Sequence, residues 1–293
     1  MINLLFTGND KVVNGLCIAL VSIVKYCKEP LNVTILTMDL TNVDRSYKKI
    51  DTKDIKEIEN YIKSVNAKSK IKLVDITNLF LKENKQSVNI ENSYSPYAFL
   101  RLLADKVKEI KDKVLYLDID VIAGGNIAEL YNINVDDYEY AAVRDYYGKI
   151  FINKNYINSG VMLFNMAKVR DTQLFAKCRE MVNTKKMLFP DQTALNKLGE
   201  KKLYLPRKFN SQRRCYKDDV IRHFCKSIRW YPYFEEHNKA GKKYCEPFSK
   251  WFKLFHTLNV KPWDLEGLHT VLNCYKYDNV IIEALKILKK DKN

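Results

Sequence analysis

The sharpest local feature of this sequence is Lys113-Val114-Leu115-Tyr116-Leu117-Asp118-Ile119-Asp120. Its apolar run predicts a buried strand that leads directly into two carboxylates one residue apart. If the strand continues to its end, Asp118 and Asp120 face the same side. Two hard oxygen ligands at the carboxyl end of a strand suit Mg²⁺ or Mn²⁺ holding a diphosphate. The pattern also fits a strand-end turn with two solvated aspartates, so other residues have to decide.

Towards the N terminus, short apolar runs alternate with amphipathic stretches. The apolar runs predict strands at residues 2–6, 33–38, 71–76 and 114–117. Helical spacing of apolar residues predicts helices at residues 12–26, 44–65 and 97–110. This alternation predicts an α/β fold with an open, mostly parallel, Rossmann-like sheet and helices on both faces. In such sheets ligands bind beyond the carboxyl ends of the strands, which indicates the loops after Phe6 and Leu117.

Beyond Asp120 the pattern is mixed. Strands are predicted at residues 140–143, 161–164, 202–205 and 220–224, and helices at residues 166–182 and 191–198. After Tyr231 the aromatic and basic residues show no clear period. Because no repeat or linker is evident, we expect one main domain at residues 1–230. Residues 231–293 are expected to form a basic, aromatic C-terminal elaboration packed on it.

The composition limits the class of protein. The chain has 293 residues, of which 46% are hydrophobic and 29% are charged. This balance is typical of a folded soluble protein and excludes fibrous and low-complexity chains. The formal net charge is +15, and residues 201–293 hold 21 lysines and arginines against 10 acidic residues, together with all three tryptophans. The surplus indicates an anionic partner without identifying it.

Cysteine usage and hydropathy predict the compartment. Seven cysteines without a CxxC pair fit a reducing compartment better than a disulfide framework. The N terminus lacks the basic region of a signal peptide, and the best apolar run, residues 12–24, is too short to span a bilayer. We therefore expect a cytoplasmic protein. Its basic, aromatic extension suits peripheral contact with the inner face of a membrane, or else a solvated face over an aromatic core patch.

The loop Thr7-Gly8-Asn9-Asp10 follows the first predicted strand. Backbone N–H groups and polar side chains at a helix start can hold a nucleotide base or phosphate. The loop is neither GxGxxG nor a P-loop, so dinucleotide and P-loop interpretations lose their main support. An ordinary turn, in which Asn9 or Asp10 caps the following helix, fits the same residues.

Several motifs occur in a fixed order along residues 2–230. They are INLLFTGND at residues 2–10, YAFLRL at 97–102, KVLYLDID at 113–120, AAVRD at 141–145, YINSGV at 156–161, PDQ at 190–192 and LPRKFN at 205–210. Together they resemble the motifs of the family 8 glycosyltransferases. The resemblance implies a GT-A fold and a retaining, metal-dependent transfer from a UDP-sugar donor, with Mn²⁺ or Mg²⁺ as the metal.

The resemblance also implies roles for particular residues. The implied metal ligands are Asp118, Asp120 and His223. The implied donor contacts are Thr7, Gly8, Asn9, Arg101, Asn158, Lys226 and Arg229. The implied sugar-binding and catalytic residues are Asp145, Asp191 and Gln192.

The chain departs from the family pattern near its third metal ligand. The family has a His, then a short turn with Gly, then Lys-Pro-Trp. Here this element occurs twice in part, as RHFCKSIRW at residues 222–230 and as FHTLNVKPW at residues 255–263. We favour His223, which closely follows Asn210, and keep His256 as the alternative. Lys226 stands where the family has Gly, and Asn9 stands where it more often has Asp.

The expected reaction moves glucose or galactose from a UDP-sugar to a hydroxyl of a glycan or glycolipid acceptor. Gln192 lies where the family has its back-face residue, and an amide is a weak nucleophile. Front-face displacement with retention is therefore expected, with Asp191 and Asp145 holding sugar hydroxyls.

Two other classes of protein fit parts of the sequence. A nucleotidyltransferase shares the sheet and the metal carboxylates, but its first loop carries a Gly-rich and basic signature that residues 7–10 lack. A nucleic-acid-binding module would use the basic, aromatic tail, but no module motif is present and the first 200 residues are nearly neutral. The expected partners are thus UDP-glucose or UDP-galactose, a glycan or glycolipid acceptor and a membrane surface, with no nucleic acid.

Overall fold

The computed structural model describes residues 1–84, 87–90, 95–212, 216–224 and 278–290. The strands of this part are β1 (Ile2–Thr7), β2 (Leu31–Thr37), β3 (Lys70–Asp75), β4 (Lys113–Leu117), β5 (Val121–Ala123), β6 (Tyr140–Arg144), β7 (Ile157–Asn165), β8 (Lys202–Leu205) and β9 (Ile221–His223). The helices are α1 (Val13–Tyr26), α2 (Thr52–Val65), α3 (Thr77–Asn84), a 3₁₀ helix at Pro96–Lys106, α4 (Ala128–Tyr131), α5 (Gly148–Phe151), α6 (Met166–Asp171), α7 (Leu174–Thr184), α8 (Pro190–Leu198) and α9 (Asp278–Lys290).

The main sheet has seven strands in the order β3-β2-β1-β4-β7-β6-β8. Strand β1 is parallel to β2 and to β4, β2 is parallel to β3, and β6 is parallel to β8. Only β7 runs against its neighbours, antiparallel to β4 and to β6. The predicted α/β fold, with an open and mostly parallel sheet, is confirmed.

Helices cover both faces of the sheet because the buried strands carry apolar side chains on both faces. In β4, Leu115 and Leu117 belong to one core, which includes residues of α1, α2 and α9. Val114 and Tyr116 point to the other face, where the core includes residues of the 3₁₀ helix, α6, α7 and α8. Alternate strand residues thus serve two separate cores, as the period of two requires.

The sequence motifs converge on one edge of the sheet. Parallel β1 and β4 end there, at Thr7 and Leu117. Antiparallel β7 begins there, with Val161 paired to Leu117. Strands β6 and β8 end at the same edge because β6 runs against β7 and β8 runs along β6. The chain topology therefore collects loops that lie far apart in sequence, as expected for a binding site of an open α/β sheet.

A second, two-stranded sheet completes this edge. Strand β5 pairs with β9 in antiparallel register, and Val121 lies opposite His223. Since Val121 directly follows Asp120, this register carries His223 to the end of β4.

The element boundaries differ from the predictions at several points. Helix α2 begins at Thr52 instead of residue 44, because Asp51 and Asp54 form a capping box there. The helix predicted at residues 166–182 is two helices, since Gln173 has a left-handed φ of 57° between α6 and α7. The predicted cap by Asn9 or Asp10 is wrong, because α1 begins after Val12 and neither side chain makes a cap hydrogen bond.

Helix α9 lies in the segment for which the sequence showed no period. Val280, Ala284 and Ile287 are buried, and the helix packs against α1 and α2. The Cys17 thiol donates to the Ala284 carbonyl oxygen at 3.6 Å, and the Tyr61 hydroxyl donates to Glu283 at 2.6 Å. The spacing of the buried residues, four and three apart, is helical and was overlooked in the sequence.

Within the part of the chain that the structure covers, no helix combines the length and the apolar character needed to cross a bilayer.

Candidate active site

Three side chains meet where β4 ends. One ligand atom from each of Asp118, Asp120 and His223 lies within 4.8 Å of the other two. His223 Nε2 is 3.2 Å from Asp120 Oδ1 and 3.8 Å from Asp118 Oδ2. Strand β4 stops at Leu117, so the carboxylates do not share a strand face as the sequence suggested; the turn after Leu117 brings both to the imidazole.

Asn210 fixes the orientation of the His223 ring. The Asn210 side-chain nitrogen donates to Asn158 Oδ1 at 2.9 Å, so its oxygen is the atom that faces His223 Nδ1, at 3.1 Å. An amide oxygen only accepts hydrogen bonds, so the proton of the neutral ring resides on Nδ1. The Nε2 lone pair is thereby left facing the two carboxylates, which is the arrangement typical of a metal-binding histidine.

Gly160 leaves room for this cluster. A Cβ at this position would overlap the imidazole ring, 2.7 Å from His223 Nε2 and 2.8 Å from Asp118 Oδ2. The backbone carbonyl of Gly160 also accepts from the Asp118 N–H at 2.7 Å. Only glycine allows β7 to pass this close to the cluster.

The donor set fits a hard divalent cation. Two carboxylates and one neutral imidazole suit Mg²⁺ or Mn²⁺, whose octahedral ligands, about 2.1 Å from the ion, are about 3 Å apart. Burial lowers the pKa of His223, but the charge of Asp120 outweighs it and leaves the pKa raised. Conversely, burial raises the pKa of Asp120, but the charge of His223 and its hydrogen bond together outweigh burial and leave that pKa lowered. The two negative charges thus gather around one imidazole, and a cation would compensate them.

Arg101 is buried beneath the cluster. Its guanidinium donates to Asp118 Oδ1 at 2.9 Å and to the Ser159 carbonyl oxygen at 2.5 Å, and it lies 3.3 Å from Asp191 Oδ2. Burial lowers the pKa of Arg101, but Asp118 and Asp191 outweigh it and keep the group charged. Burial raises the pKa of Asp191 against the opposing charge of Arg101. Arg101 therefore positions two carboxylates at once, a role that the sequence did not reveal.

The other oxygen-bearing residues of the predicted site form a line away from the cluster. Asn158 donates to Asp145 Oδ2 at 2.9 Å. Asp145 Oδ1 accepts from the backbone N–H groups of Tyr147 and Gly148, at 3.0 Å and 2.6 Å. A hydrogen-bonded chain thus runs from His223 through Asn210 and Asn158 to Asp145, joining the end of β9 to the end of β6.

Gln192 lies in the first turn of α8 and is tied to β7. Its Oε1 accepts from the Ser159 backbone N–H at 3.0 Å and from the Ser159 hydroxyl at 3.2 Å. An amide oxygen that already accepts two hydrogen bonds is a poorer nucleophile still, because its lone pairs are engaged.

The first loop lies beside the cluster on neighbouring β1. The Thr7 hydroxyl is 3.3 Å from the Tyr116 hydroxyl, which in turn donates to Asp118 at 2.6 Å. Gly8 and Asn9 form the turn that follows, and the Asn9 side chain is buried. Asp10 Oδ1 is buried and finds no hydrogen-bond partner among the residues that the structure describes. This orphaned acceptor is suited to an N–H donor of a ligand.

Three residues named in the sequence analysis, Lys226, Arg229 and His256, lie outside the described residues. Three residues of the site were not singled out: Tyr116 and Ser159, which hold Asp118, Arg101 and Gln192, and Asn210, which orients His223. The signal for each was its place in a motif: Asn210 ends LPRKFN, Tyr116 lies in KVLYLDID and Ser159 lies in YINSGV.

Comparison with known proteins adds a family to this geometry. The sequence profile described as glycosyl transferase family 8 matches residues 3–267, most of the chain. These residues include the whole cluster at the end of β4. Nothing in the comparisons supports a nucleotidyltransferase or a nucleic-acid-binding module.

Among curated proteins, the chain is 28% identical to glycosyltransferase GlyB of Streptococcus pneumoniae over 201 residues, 68% of this chain and 45% of GlyB. It is 34% identical to the lipopolysaccharide glucosyltransferase WaaO of Escherichia coli over 131 residues, 39% of each chain. The chain spans less than half the length of the curated relatives it first matches.

Among solved structures, the fold of the chain resembles that of the galactosyltransferase LgtC, whose structure was determined in complex with donor and acceptor sugar analogs. The TM-score is 0.59 at 19% identity, and the match covers 79% of this chain and 90% of LgtC. At this identity the likeness concerns the fold.

Proposed function

This chain belongs to glycosyl transferase family 8 and has the GT-A fold, and we propose that it is a retaining hexosyltransferase. In this proposal it moves glucose or galactose from a UDP-sugar to a hydroxyl of a glycan or glycolipid acceptor. The observation that carries the proposal is the convergence of Asp118, Asp120 and His223 at the carboxyl end of β4. The proposal places the protein in the cytoplasm, at the inner face of the membrane.

The donor diphosphate would be held at this cluster. Asp118, Asp120 and His223 would hold a divalent ion, Mn²⁺ or Mg²⁺, which when bound would supply positive charge against the negative charge of the departing diphosphate. The protein's own part is to fix these ligands before the donor arrives. Arg101 and Tyr116 hold the Asp118 carboxylate from below, and Asn210 holds the imidazole. Lys226 and Arg229 are proposed to contact the diphosphate.

The base of the nucleotide is proposed to lie against Thr7, Gly8 and Asn9. The buried and unpartnered Asp10 Oδ1 supports this placement, since a buried acceptor without a donor is costly and a base N–H would satisfy it. The position of the loop on β1, directly beside β4, would put the base and the diphosphate on neighbouring strand ends.

The sugar is proposed to lie between the cluster and α8. Asp145 and Asp191 would accept from its hydroxyls, with Asn158 beside them. Asp145 Oδ2, which accepts from Asn158, keeps a second lone pair for a sugar hydroxyl, whereas Oδ1 already accepts from two backbone N–H groups. The engagement of Arg101 with Asp191 keeps that carboxylate aligned next to the metal ligands.

Retention is proposed to occur on a single face of the sugar. The bond between the anomeric carbon and the phosphate oxygen breaks, and the acceptor oxygen forms its bond on the same side. The acceptor proton passes to the departing phosphate oxygen, so no carboxylate base is needed. The hydrogen bonds from Ser159 to Gln192 Oε1 support this route over covalent attack by Gln192.

The names of two relatives support a hexose. WaaO is a lipopolysaccharide glucosyltransferase and LgtC is a galactosyltransferase. Glucose and galactose differ only in the configuration of one ring hydroxyl, so a panel of UDP-sugar donors is the appropriate test.

The test measures slow hydrolysis of UDP-sugars in the presence of Mn²⁺ and without acceptor. We expect hydrolysis of UDP-glucose or UDP-galactose by the native chain, and its loss in Asp120→Asn with the fold intact by circular dichroism. Asp137→Asn, at an exposed carboxylate away from the cluster, is the matched control. Near-native activity of Asp120→Asn would refute the metal assignment, and cleavage of no UDP-sugar would refute the proposed function.

A further inference from the structure

Three consecutive large apolar residues are exposed beside the candidate site. Ile150, Phe151 and Ile152 have 60%, 65% and 57% of their surface exposed. They lie on and after α5, a single turn whose Gly148 is buried and whose later residues are exposed. An exposed apolar cluster of this kind marks an interaction surface more often than an accident of folding.

A second exposed apolar residue lies on another loop at the same edge. Leu188, which is 67% exposed, lies two residues before α8 begins at Pro190. The two loops are joined by contacts behind them. The Tyr156 hydroxyl is 3.1 Å from the Thr193 hydroxyl in the first turns of α8, and Ile157 N–H donates to Asn196 at 2.7 Å. Residues 149–154 and 185–188 therefore flank one edge of the molecule, and we refer to them together as the rim.

The rim is cationic. Lys149, Lys154, Lys185 and Lys186 are all exposed. Residues 146–155 and 184–190 contain no aspartate or glutamate. Each exposed apolar tip thus carries two lysines beside it and no acid to neutralise them.

We propose that the rim is a membrane-docking surface that inserts Ile150, Ile152 and Leu188 at the level of the lipid headgroups of an anionic bilayer. Apolar side chains flanked by lysines are the combination that binds at this interface, because the hydrocarbon enters the acyl boundary while the ammonium groups contact anionic headgroups. Two separate loops would contact the bilayer together, so the second contact would form at high effective concentration.

Charge complementarity favours a bilayer over two other occupants. A second copy of this chain, related by a twofold axis, would bring the rim's lysines against identical lysines. Residues 225–277 of the same chain hold nine lysines and arginines against five acidic residues, so they carry the same sign of charge. An anionic lipid surface is the occupant that complements the rim.

Docking by the rim would orient the candidate site. Asp145 lies four residues before the first loop of the rim, and Asp191 and Gln192 begin three residues after the second. The residues proposed to hold the sugar would therefore open towards the bilayer, where a lipid-linked acceptor resides. This last consequence rests on the proposed function, but lipid binding itself does not.

The test is co-sedimentation of the full chain with vesicles of phosphatidylglycerol and phosphatidylcholine in equal parts, in the absence of any donor. The variant Ile150→Ser/Ile152→Ser/Leu188→Ser is expected to bind at least about tenfold more weakly than the native chain. Val43→Ser is the matched control, because Val43 is 55% exposed outside the rim. A charge variant with Lys149→Gln, Lys154→Gln, Lys185→Gln and Lys186→Gln is expected to lose the preference for phosphatidylglycerol.

Three results would overturn the proposal. The first is equal vesicle binding by the triple serine variant and the native chain, which would assign binding to another surface. The second is that the native chain does not bind the mixed vesicles, or that it binds vesicles of pure phosphatidylcholine equally well. The third is a native dimer that the triple serine variant converts to a monomer, which would make the rim an interface between copies. Hydrolysis of UDP-sugars without vesicles, measured on the same variant, reports on the proposed function separately.

Discussion

Asn210 shows how one buried amide can decide the chemistry of a histidine. It is 1% exposed, and its two ends bond to Asn158 and His223. Outer partners of this kind fix the tautomer of a metal-binding imidazole, and their loss typically lowers metal affinity by about 10- to 100-fold.

We expect Asn210→Leu to weaken Mn²⁺ binding by about that factor, measured by calorimetry without donor. The leucine removes the acceptor for Nδ1 while filling the space. Asn165→Leu is the control, since Asn165 caps α6 at the opposite end of β7 and should change stability but not metal affinity. Native Mn²⁺ affinity in Asn210→Leu would show that the ring is held in another way.

The choice between the two candidate histidines is a second test at the residue scale. His223→Ala removes a ligand atom of the cluster and should lower Mn²⁺-dependent UDP affinity by more than about 100-fold. This loss exceeds the one expected for a residue that only orients a ligand, such as Asn210. His256→Ala should only weaken it. Equilibrium binding of UDP with and without Mn²⁺ measures both, and the reverse ranking would transfer the ligand role to His256.

Among the elements, α9 shows that the chain returns to its first helices after the long segment at residues 225–277. Its buried residues pack on α1 and α2, so this helix contributes to the core of the main domain. The division at residue 230, with residues 231–293 as an extension packed on the main domain, stays a prediction.

Ile287→Ala is expected to lower the free energy of unfolding by about 2–5 kcal/mol, the cost of deleting a buried isoleucine side chain. Urea unfolding followed by circular dichroism measures the loss. Lys286→Ala, at an exposed position of the same helix, should change stability by less than about 0.5 kcal/mol. Equal stability of the two variants would mean that α9 does not pack as described.

A cluster of charges links α3, the 3₁₀ helix and α7. Glu83 bonds to Lys106 at 2.7 Å and lies 3.4 Å from Arg179. Lys106 and Arg179 hold the pKa of Glu83 below its ordinary value of 4.5. A carboxyl group with a lowered pKa stabilises the folded state above the unfolded pKa, and that contribution is lost as the pH falls through the folded pKa.

The native chain should therefore lose stability more steeply below pH 4.5 than the variant Glu83→Gln. At neutral pH the variant should be less stable by about 1 kcal/mol or less, since the pair is partly exposed. Urea titrations at a series of pH values measure both quantities. Parallel pH profiles of the two proteins would show that Glu83 is not held as described.

For the whole molecule, the arrangement of carboxylates determines the stereochemical prediction. Each carboxylate of the candidate site forms an ion pair or a hydrogen bond with Arg101, His223 or Asn158. An inverting reaction would need one of them as a base for the acceptor hydroxyl. The proposed same-face reaction needs none.

We therefore expect an α-linked product from an α-linked UDP-sugar, identified by NMR of its anomeric proton. Gln192→Ala should slow turnover by up to about 100-fold, since it frees the Ser159 backbone that Gln192 holds, and should trap no covalent sugar adduct. A β-linked product would overturn the proposed mechanism.

Local patterns in the sequence were enough to predict the class of fold and to name most residues of the candidate site. Apolar periodicity is local, so the strands and helices of the first half could be located to within a few residues, as at β1, α1 and β4. The polar motifs follow strand ends, and parallel strands bring their carboxyl ends to one edge. That rule indicated the loops after Phe6 and Leu117, and Thr7 and Asp118 lie at those two strand ends.

Which distant residues join that edge depends on the tertiary structure, because strand pairing is a long-range property. The register of β5 on β9 places His223 beside Asp120, although the turn at residues 118–120 ends the strand face that the sequence suggested. Burial of Arg101 between two carboxylates, and the bond from Asn210 to the imidazole, likewise depend on packing across elements. Local patterns state which groups are present, whereas the pairing of strands decides which atoms meet.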